Sequence, residues 1–271
     1  MGDFFRSIPE RRWGAMVFLF AAYFFSAKWG LQLALVNASA TAVWAPTGIA
    51  LAGFLILGFQ AWPAIFLGAF LVNLTNAGTV WTSLGIATGN CLEGLAGAYL
   101  VGRFASGSAA FERARDILKF AILAGGIGTL ISPTLGLASL CWGGFAPWHS
   151  WGNIWTTWWL GDMTGALIVT PVLLLWIRQP KVRWRQLPET LGSLAVVVLL
   201  GQAVFGGWFL SPGQNFPIAF LVIPALLWTA YRYGPRVTAL GGFLLAGVAL
   251  RDTLDHLGPF GGLAPNHALL A

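Results

Sequence analysis

The chain has 271 residues, of which 57% are hydrophobic and only 9% are charged, and it contains 15 tryptophans and 20 phenylalanines. Soluble domains carry about 25% charged residues, so this composition excludes an ordinary soluble protein and indicates a membrane protein. The formal net charge of +6 therefore indicates basic loops held against anionic lipid rather than a nucleic-acid-binding surface.

The hydrophobic pattern predicts nine apolar helices, because a membrane-spanning helix needs about 17–25 apolar residues. In chain order they cover residues 13–36, 43–58, 61–77, 80–102, 116–141, 153–177, 190–209, 216–231 and 236–250. The second, eighth and ninth are short enough to be tilted, half-buried or non-spanning. We therefore expect an all-α, polytopic integral membrane helix bundle with about eight or nine transmembrane helices.

The basic residues indicate how this bundle is oriented. With the N-terminus in the cytoplasm, every Lys and Arg except Lys28 and Arg251 lies on the cytoplasmic side. The opposite-side loops 37–42, 78–79, 142–152 and 210–215 contain neither residue type. Cytoplasmic loops of membrane proteins are enriched in Lys and Arg, so the sequence predicts a cytoplasmic N-terminus.

The end of the chain predicts a further span. Nine spans would place residues 257–271 outside the cytoplasm, and the final residues 268–271 turn apolar. These four residues resemble the first turn of another helix. We therefore expect the chain to be truncated before a last transmembrane helix.

Three ionisable side chains lie deep within predicted spans: Lys28, Glu93 and Asp162. At 1.5 Å per residue, Lys28 and Asp162 lie roughly 12–13 Å from the outer ends of their spans, which makes a contact between them geometrically possible. Whether Lys28 pairs with Asp162 or with Glu93 stays open. Glu93 lies nearer the cytoplasmic half and shares a helix face with Asn90. Intramembrane charges usually mark functional sites. Two interpretations stay open, namely a ligand or proton site and a set of structural ion pairs that hold the bundle in register.

Asp162 lies within a run that also favours close helix packing. Gly161 and Gly165 are four residues apart, so they share a face and would let a neighbouring helix approach closely. Trp158 and Trp159 precede them, and at least one is expected to face the interior.

A second group of candidates lies near the predicted outer surface. Trp44 precedes a helix start at Pro46, Thr47 can satisfy a nearby carbonyl, and Asn73 ends the third segment. For Trp44 the alternative is an interfacial aromatic belt. The complete set of candidate ligand-binding residues is Lys28, Trp44, Thr47, Asn73, Asn90, Glu93, Trp158, Trp159 and Asp162.

The sequence contains no pattern for a cofactor, a metal or a catalytic centre. Cys91 and Cys141 lie in apolar segments, far from CxxC spacing, and are expected to be buried packing residues. There is no Walker loop, dinucleotide fingerprint, nucleophile elbow or nucleic-acid-binding motif. We expect no cofactor, no metal and no nucleic-acid partner.

Several stretches, taken in order, resemble a known family. They are Ala42–Ala50, Gly68–Asn73, Gly89–Glu93 with Gly97–Ala98, Trp159–Asp162 with Thr170–Pro171, and the segment 216–235. The chain resembles the bacterial membrane-associated sensor domain of the first type, the MASE family, over nearly its whole length. Ala45 stands where the family tends to have proline.

The resemblance implies an integral inner-membrane input domain that occupies residues 1–271 as a single transmembrane sensor domain. Such a domain is usually followed in the same chain by a cytoplasmic output domain, either a histidine kinase or a cyclic-di-GMP enzyme. The implied stimulus is a small ligand or a membrane partner protein, and signalling of this kind commonly involves a homodimer.

Two function classes besides sensing were weighed. A small-solute transporter, or a substrate-binding membrane component, would also use intramembrane charges and helices interrupted by Gly and Pro, although no inverted repeat is evident. An enzyme would need a nucleophile and a base, and the sequence offers no such pair. We therefore expect no catalysis by this chain, and the enzymatic activity is expected in the output domain.

Overall fold

The computed structural model of the chain describes residues 10–34, 37–178, 186–208 and 218–260. These residues form ten α-helices, and no β-strand occurs among them. The helices are α1 (Glu10–Gly30), α2 (Ala45–Leu57), α3 (Trp62–Leu74), α4 (Val80–Phe104), α5 (Ala114–Phe120), α6 (Ile131–Trp142), α7 (Trp151–Arg178), α8 (Leu187–Phe205), α9 (Ile223–Tyr233) and α10 (Pro235–Leu254). The predicted all-α fold is confirmed.

Each of the nine predicted segments contains a helix, and the fifth has an irregular centre. Between α5 and α6 the backbone forms a π-helical stretch, Ala121–Ile127, and then a 3₁₀ turn, Gly128–Leu130. Such π-helical insertions are rare and often occur at functional sites. The predicted helical turn at 268–271 and the predicted loop 210–215 lie outside the described residues.

Within the part of the chain that the structure describes, five stretches are long and apolar enough to cross a membrane. They are Trp13–Leu33, Ala114–Trp142, Trp148–Arg178, Leu187–Phe205 and Pro235–Leu254. Three apolar helices in the same part are shorter: Ala45–Leu57, Phe59–Leu74 and Ile218–Tyr233. The predicted total of eight or nine spans and the predicted orientation stay predictions.

The chain divides into two compact units, Met1–Leu167 and Ile168–Ala271. In the first unit α4 is the central helix and packs against α2, α3, α6 and the π-helical stretch. Its glycines permit this close packing, since a Cβ atom at Gly94 would lie 2.7 Å from the Phe54 ring. In the second unit α8 packs against α9 and α10.

The first unit buries an apolar core and exposes an apolar surface. Its core includes Ile86, Leu137 and Trp158. On α1, by contrast, Phe18 is 75% exposed and Trp29 is 70% exposed. Exposed apolar surface on this scale marks contact with a partner or a membrane. Lipid is therefore the environment that fits this surface.

Candidate functional site

The segment that leads into α2 lies against the backbone of α7. The Trp44 N–H donates a hydrogen bond to the Gly161 carbonyl oxygen, 3.2 Å away. A Cβ atom at Gly161 would overlap the Thr41 carbonyl, and one at Gly165 would overlap the Trp44 carbonyl. The sequence predicted a close approach at these two glycines, and the structure has one. The approaching element is the non-helical segment 41–44 and the start of α2, where a complete helix was expected.

Three side chains meet beside this contact, and we call them the carboxyl cluster: Thr47, Glu93 and Asp162. α2 presents Thr47 in its first turn, after Pro46, whose fixed φ and missing N–H suit that position. The Thr47 Oγ1 lies 3.0 Å from Glu93 Oε1 on α4 and 2.8 Å from Asp162 Oδ1 on α7. All three side chains are buried, and Asp162 is fully enclosed. One hydroxyl therefore connects three helices.

Several polar atoms around the carboxyl cluster have no hydrogen-bond partner among the described residues. They include Glu93 Oε2, Asp162 Oδ2, Asn90 Nδ2, the Tyr23 hydroxyl and Trp44 Nε1. None of these side chains is more than 5% exposed. Both carboxyl groups act electrostatically on the Tyr23 hydroxyl, and the Trp44 indole lies near it. Buried polar groups are normally hydrogen-bonded, so this concentration of exceptions requires an explanation such as a bound ion or ligand.

Lys28 does not belong to the carboxyl cluster. It lies in the last turn of α1, where its Nζ donates a hydrogen bond to the Thr75 carbonyl oxygen, 2.9 Å away. Thr75 follows the C-terminal end of α3, where carbonyl groups lack partners within the helix and a cation is favoured. The Lys28–Asp162 contact that similar depth made possible is therefore not formed, and among the described residues Lys28 does not pair with Glu93 either. Similar depth along two spans does not by itself turn two side chains toward each other.

Three other candidate residues make contacts within the bundle. The Asn73 Nδ2 donates to a carbonyl one turn earlier in α3, 2.8 Å away. Trp158 is buried and its ring packs against Gly136 in the apolar core. Trp159 is half-buried, and its Nε1 donates to the Gly126 carbonyl of the π-helical stretch, 3.2 Å away. Trp158 thus faces the interior, as expected of one of the two tryptophans, but in an apolar environment.

Sequence reasoning missed two residues of this region, Ser132 and Tyr23. The Ser132 Oγ donates to Asn90 Oδ1 at 2.5 Å, and Ser132 also lies near both carboxyl groups. The sequence signal for Ser132 was its position as a polar residue directly before Pro133 in an apolar segment. For Tyr23 the signal was its four-residue spacing from Leu19 and Ala27, which together form the buried face of α1.

The oxygen atoms of the carboxyl cluster determine what this region can do chemically. Two carboxyl groups and one hydroxyl can hold a proton or a small cation. Within the described part of the chain, no group of three or more His, Cys, Asp or Glu side chains is placed to hold a metal ion.

Comparison with protein families places the whole bundle in one of them. The family model described as MASE1 matches residues 15–263. The chain belongs to the MASE1 family. Members of this family are membrane sensory domains of signalling proteins and are not catalytic. Searches among curated proteins and among solved structures found no match.

The MASE1 match includes the entire carboxyl cluster and extends through both compact units. It confirms the resemblance that the stretches Ala42–Ala50 and Trp159–Asp162 indicated. Thr47 lies in the first of these stretches and Asp162 in the second. Two of the motifs that carry the resemblance are therefore in direct contact in the folded chain.

Proposed function

We propose that this MASE1 domain perceives its stimulus at the carboxyl cluster and passes the change to a cytoplasmic output domain of the same protein. The observation that carries the proposal is the hydrogen-bonded contact of Thr47 with both Glu93 and Asp162. It joins α2, α4 and α7 in the interior of the first unit. A change at this point alters the packing of three helices at once.

The stimulus is a small ligand or a membrane partner protein that interacts differently with two packings of the bundle. A ligand shifts such an equilibrium only through its different affinity for the two states. Because no basic side chain hydrogen-bonds either carboxyl group among the described residues, a cationic stimulus fits the carboxyl cluster best. Trp44, Asn90 and Tyr23 complete the proposed site with buried polar atoms for which the described residues supply no hydrogen-bond partner.

The proposed arrangement in the cell follows the distribution of charge. The domain crosses the bacterial inner membrane eight or nine times, roughly as the apolar segment lengths indicate, with its N-terminus in the cytoplasm. A histidine kinase or a cyclic-di-GMP enzyme follows it in the full-length protein. The domain works as a homodimer, since such output domains commonly act in pairs.

The test uses the full-length protein in lipid vesicles and measures kinase or cyclic-di-GMP output. Glu93→Gln and Asp162→Asn each keep the side-chain shape and remove one acidic group. We expect either substitution to change basal output by at least tenfold, since a bias of about 1.4 kcal/mol between two packings changes their ratio by that factor.

Glu189→Gln is the matched control. The Glu189 carboxylate is 57% exposed and lies 3.2 Å from Arg232 Nη2, so its loss should leave output unchanged. Unchanged output in both cluster variants would reject the sensory role of the cluster. Accumulation of a labelled solute in the same vesicles would instead support the transporter.

A further inference from the structure

We propose that the carboxyl cluster binds one proton, shared between Glu93 and Asp162 through Thr47, and that gain or loss of this proton switches the site between its two packings. The switching step rests on the sensory function proposed above. The proposal that a proton binds here depends only on the geometry of the site.

The hydrogen-bond geometry at Thr47 favours a proton on one of the carboxyl groups. A threonine hydroxyl has one proton to donate and can accept through its lone pairs. Its oxygen lies 3.0 Å from one carboxyl oxygen and 2.8 Å from another. Thr47 can donate to only one of them. The second contact becomes a full hydrogen bond when the other carboxyl group, Glu93 or Asp162, is protonated and donates to Thr47.

Among the described residues, no basic side chain hydrogen-bonds or forms an ion pair with either carboxyl group. The titratable group that acts on the pair is Tyr23 on α1, and Cys91 on α4 lies near Tyr23; both are uncharged when protonated. α2 and α3 carry no titratable side chain within their helical bounds, and α6 carries only Cys141, which is also uncharged when protonated. The Lys28 ammonium is hydrogen-bonded to the Thr75 carbonyl oxygen instead. Two adjacent carboxylates repel each other, and one proton removes this repulsion.

The groups around the carboxyl cluster stabilise the single negative charge that remains. Thr47 lies in the first turn of α2, where unpaired N–H groups and the helix dipole favour an anion. The unpartnered Asn90 Nδ2 and the Tyr23 hydroxyl are donors buried in the same region. Removal of the shared proton would leave two anions at one helix terminus. The resulting repulsion between Glu93 on α4 and Asp162 on α7 would push these two helices apart and disrupt the contacts that Thr47 makes with both.

The experiment is pH-difference infrared spectroscopy on the 271-residue chain in vesicles of neutral lipid. A protonated carboxyl group has a C=O band that an ionised one lacks. We expect such a band at neutral pH, with loss of the band on titration to alkaline pH. The band should be absent in the double variant E93Q/D162N and unchanged in Glu189→Gln, whose carboxylate is exposed.

A second measurement removes any dependence on folding of the double variant. Stable-isotope labelling of the glutamate or of the aspartate carboxyl carbons in the unmodified chain should shift the band, and the label that shifts it identifies the protonated residue. Absence of a neutral-pH band, or a band that persists in a folded E93Q/D162N chain, would overturn the proposal. Loss of the band at constant pH on replacing choline chloride with sodium chloride would also overturn it, since the occupant would then be a metal cation.

The infrared measurement tests the bound proton, and the output assay tests the sensory function, so the two proposals can be rejected independently. A confirmed band together with unchanged output of E93Q/D162N in the full-length protein would keep the bound proton and reject its role in switching. A missing band together with altered output would keep the sensory site and reject the proton.

Discussion

The Thr47 hydroxyl is the group on which the contact among α2, α4 and α7 depends. Thr47→Val keeps the shape of the side chain and removes its oxygen, so Glu93 Oε1 and Asp162 Oδ1 each lose their partner. A buried polar group left without a hydrogen bond costs about 1–3 kcal/mol, so we expect the free energy of unfolding to fall by an amount in that range. Reversible denaturant unfolding in mixed micelles measures it.

Two control variants separate the hydroxyl from the side-chain shape at the residue scale. Thr88→Val, also on a helix, removes an exposed hydroxyl that donates to a carbonyl of its own helix, and it should change stability by less than about 0.5 kcal/mol. Thr47→Ser keeps the hydroxyl and should lose less stability than Thr47→Val. Equal losses for the serine and valine variants would contradict the assigned role of the hydroxyl.

At the scale of elements, the glycine pair of α7 sets how closely the segment before α2 can approach. A Cβ atom at Gly165 would overlap the Trp44 carbonyl, and backbone atoms cannot rotate away as a side chain does. Overpacking of this kind typically costs about 1–3 kcal/mol, so we expect Gly165→Ala to lower the thermal midpoint in detergent. The displaced segment should also weaken the Thr47 contacts.

The matched control for Gly165→Ala is another interior helical glycine, Gly242 of α10, where a Cβ atom would meet nothing within 4 Å. Alanine is favoured over glycine in a helix by about 0.5–1 kcal/mol, so Gly242→Ala should be neutral or stabilising. Gly165→Ala is therefore expected to lower the thermal midpoint, whereas Gly242→Ala is expected to leave it unchanged or to raise it. A thermal midpoint that rises in both variants would show that a Cβ atom at Gly165 does not destabilise the fold, which contradicts the prediction.

At the scale of the whole molecule, the sequence predicted the helices well because their signal is local. Runs of apolar residues and glycine spacing within a single segment suffice to predict helices such as α7 and the close contact at Gly165. The burial of Glu93 and Asp162 follows from the cost of a charge in lipid. The candidate list therefore already contained all three members of the carboxyl cluster.

The pairing of side chains across the bundle could not be predicted in the same way. Thr47 and Asp162 are 115 positions apart, and their contact depends on the rotation of each helix about its axis, which hydropathy alone does not determine. Depth along the span made Lys28 a plausible partner of Asp162, but depth says nothing about this rotation. The π-helical stretch Ala121–Ile127 adds a local change of helical register, so the face that Ser132 presents could not be read from a regular period.

The orientation of the bundle is testable across one candidate span, Ala114–Trp142, which includes the π-helical stretch. Arg113 and His149 are exposed residues on either side of it. In a chain with Cys91→Ala and Cys141→Ala, Arg113→Cys and His149→Cys each supply a single accessible thiol. A cytoplasmic N-terminus predicts that a membrane-impermeant maleimide labels position 149 in intact spheroplasts and position 113 only after permeabilisation. The reverse pattern would invert the orientation, and labelling of both positions from the outside would mean that the stretch does not cross the membrane.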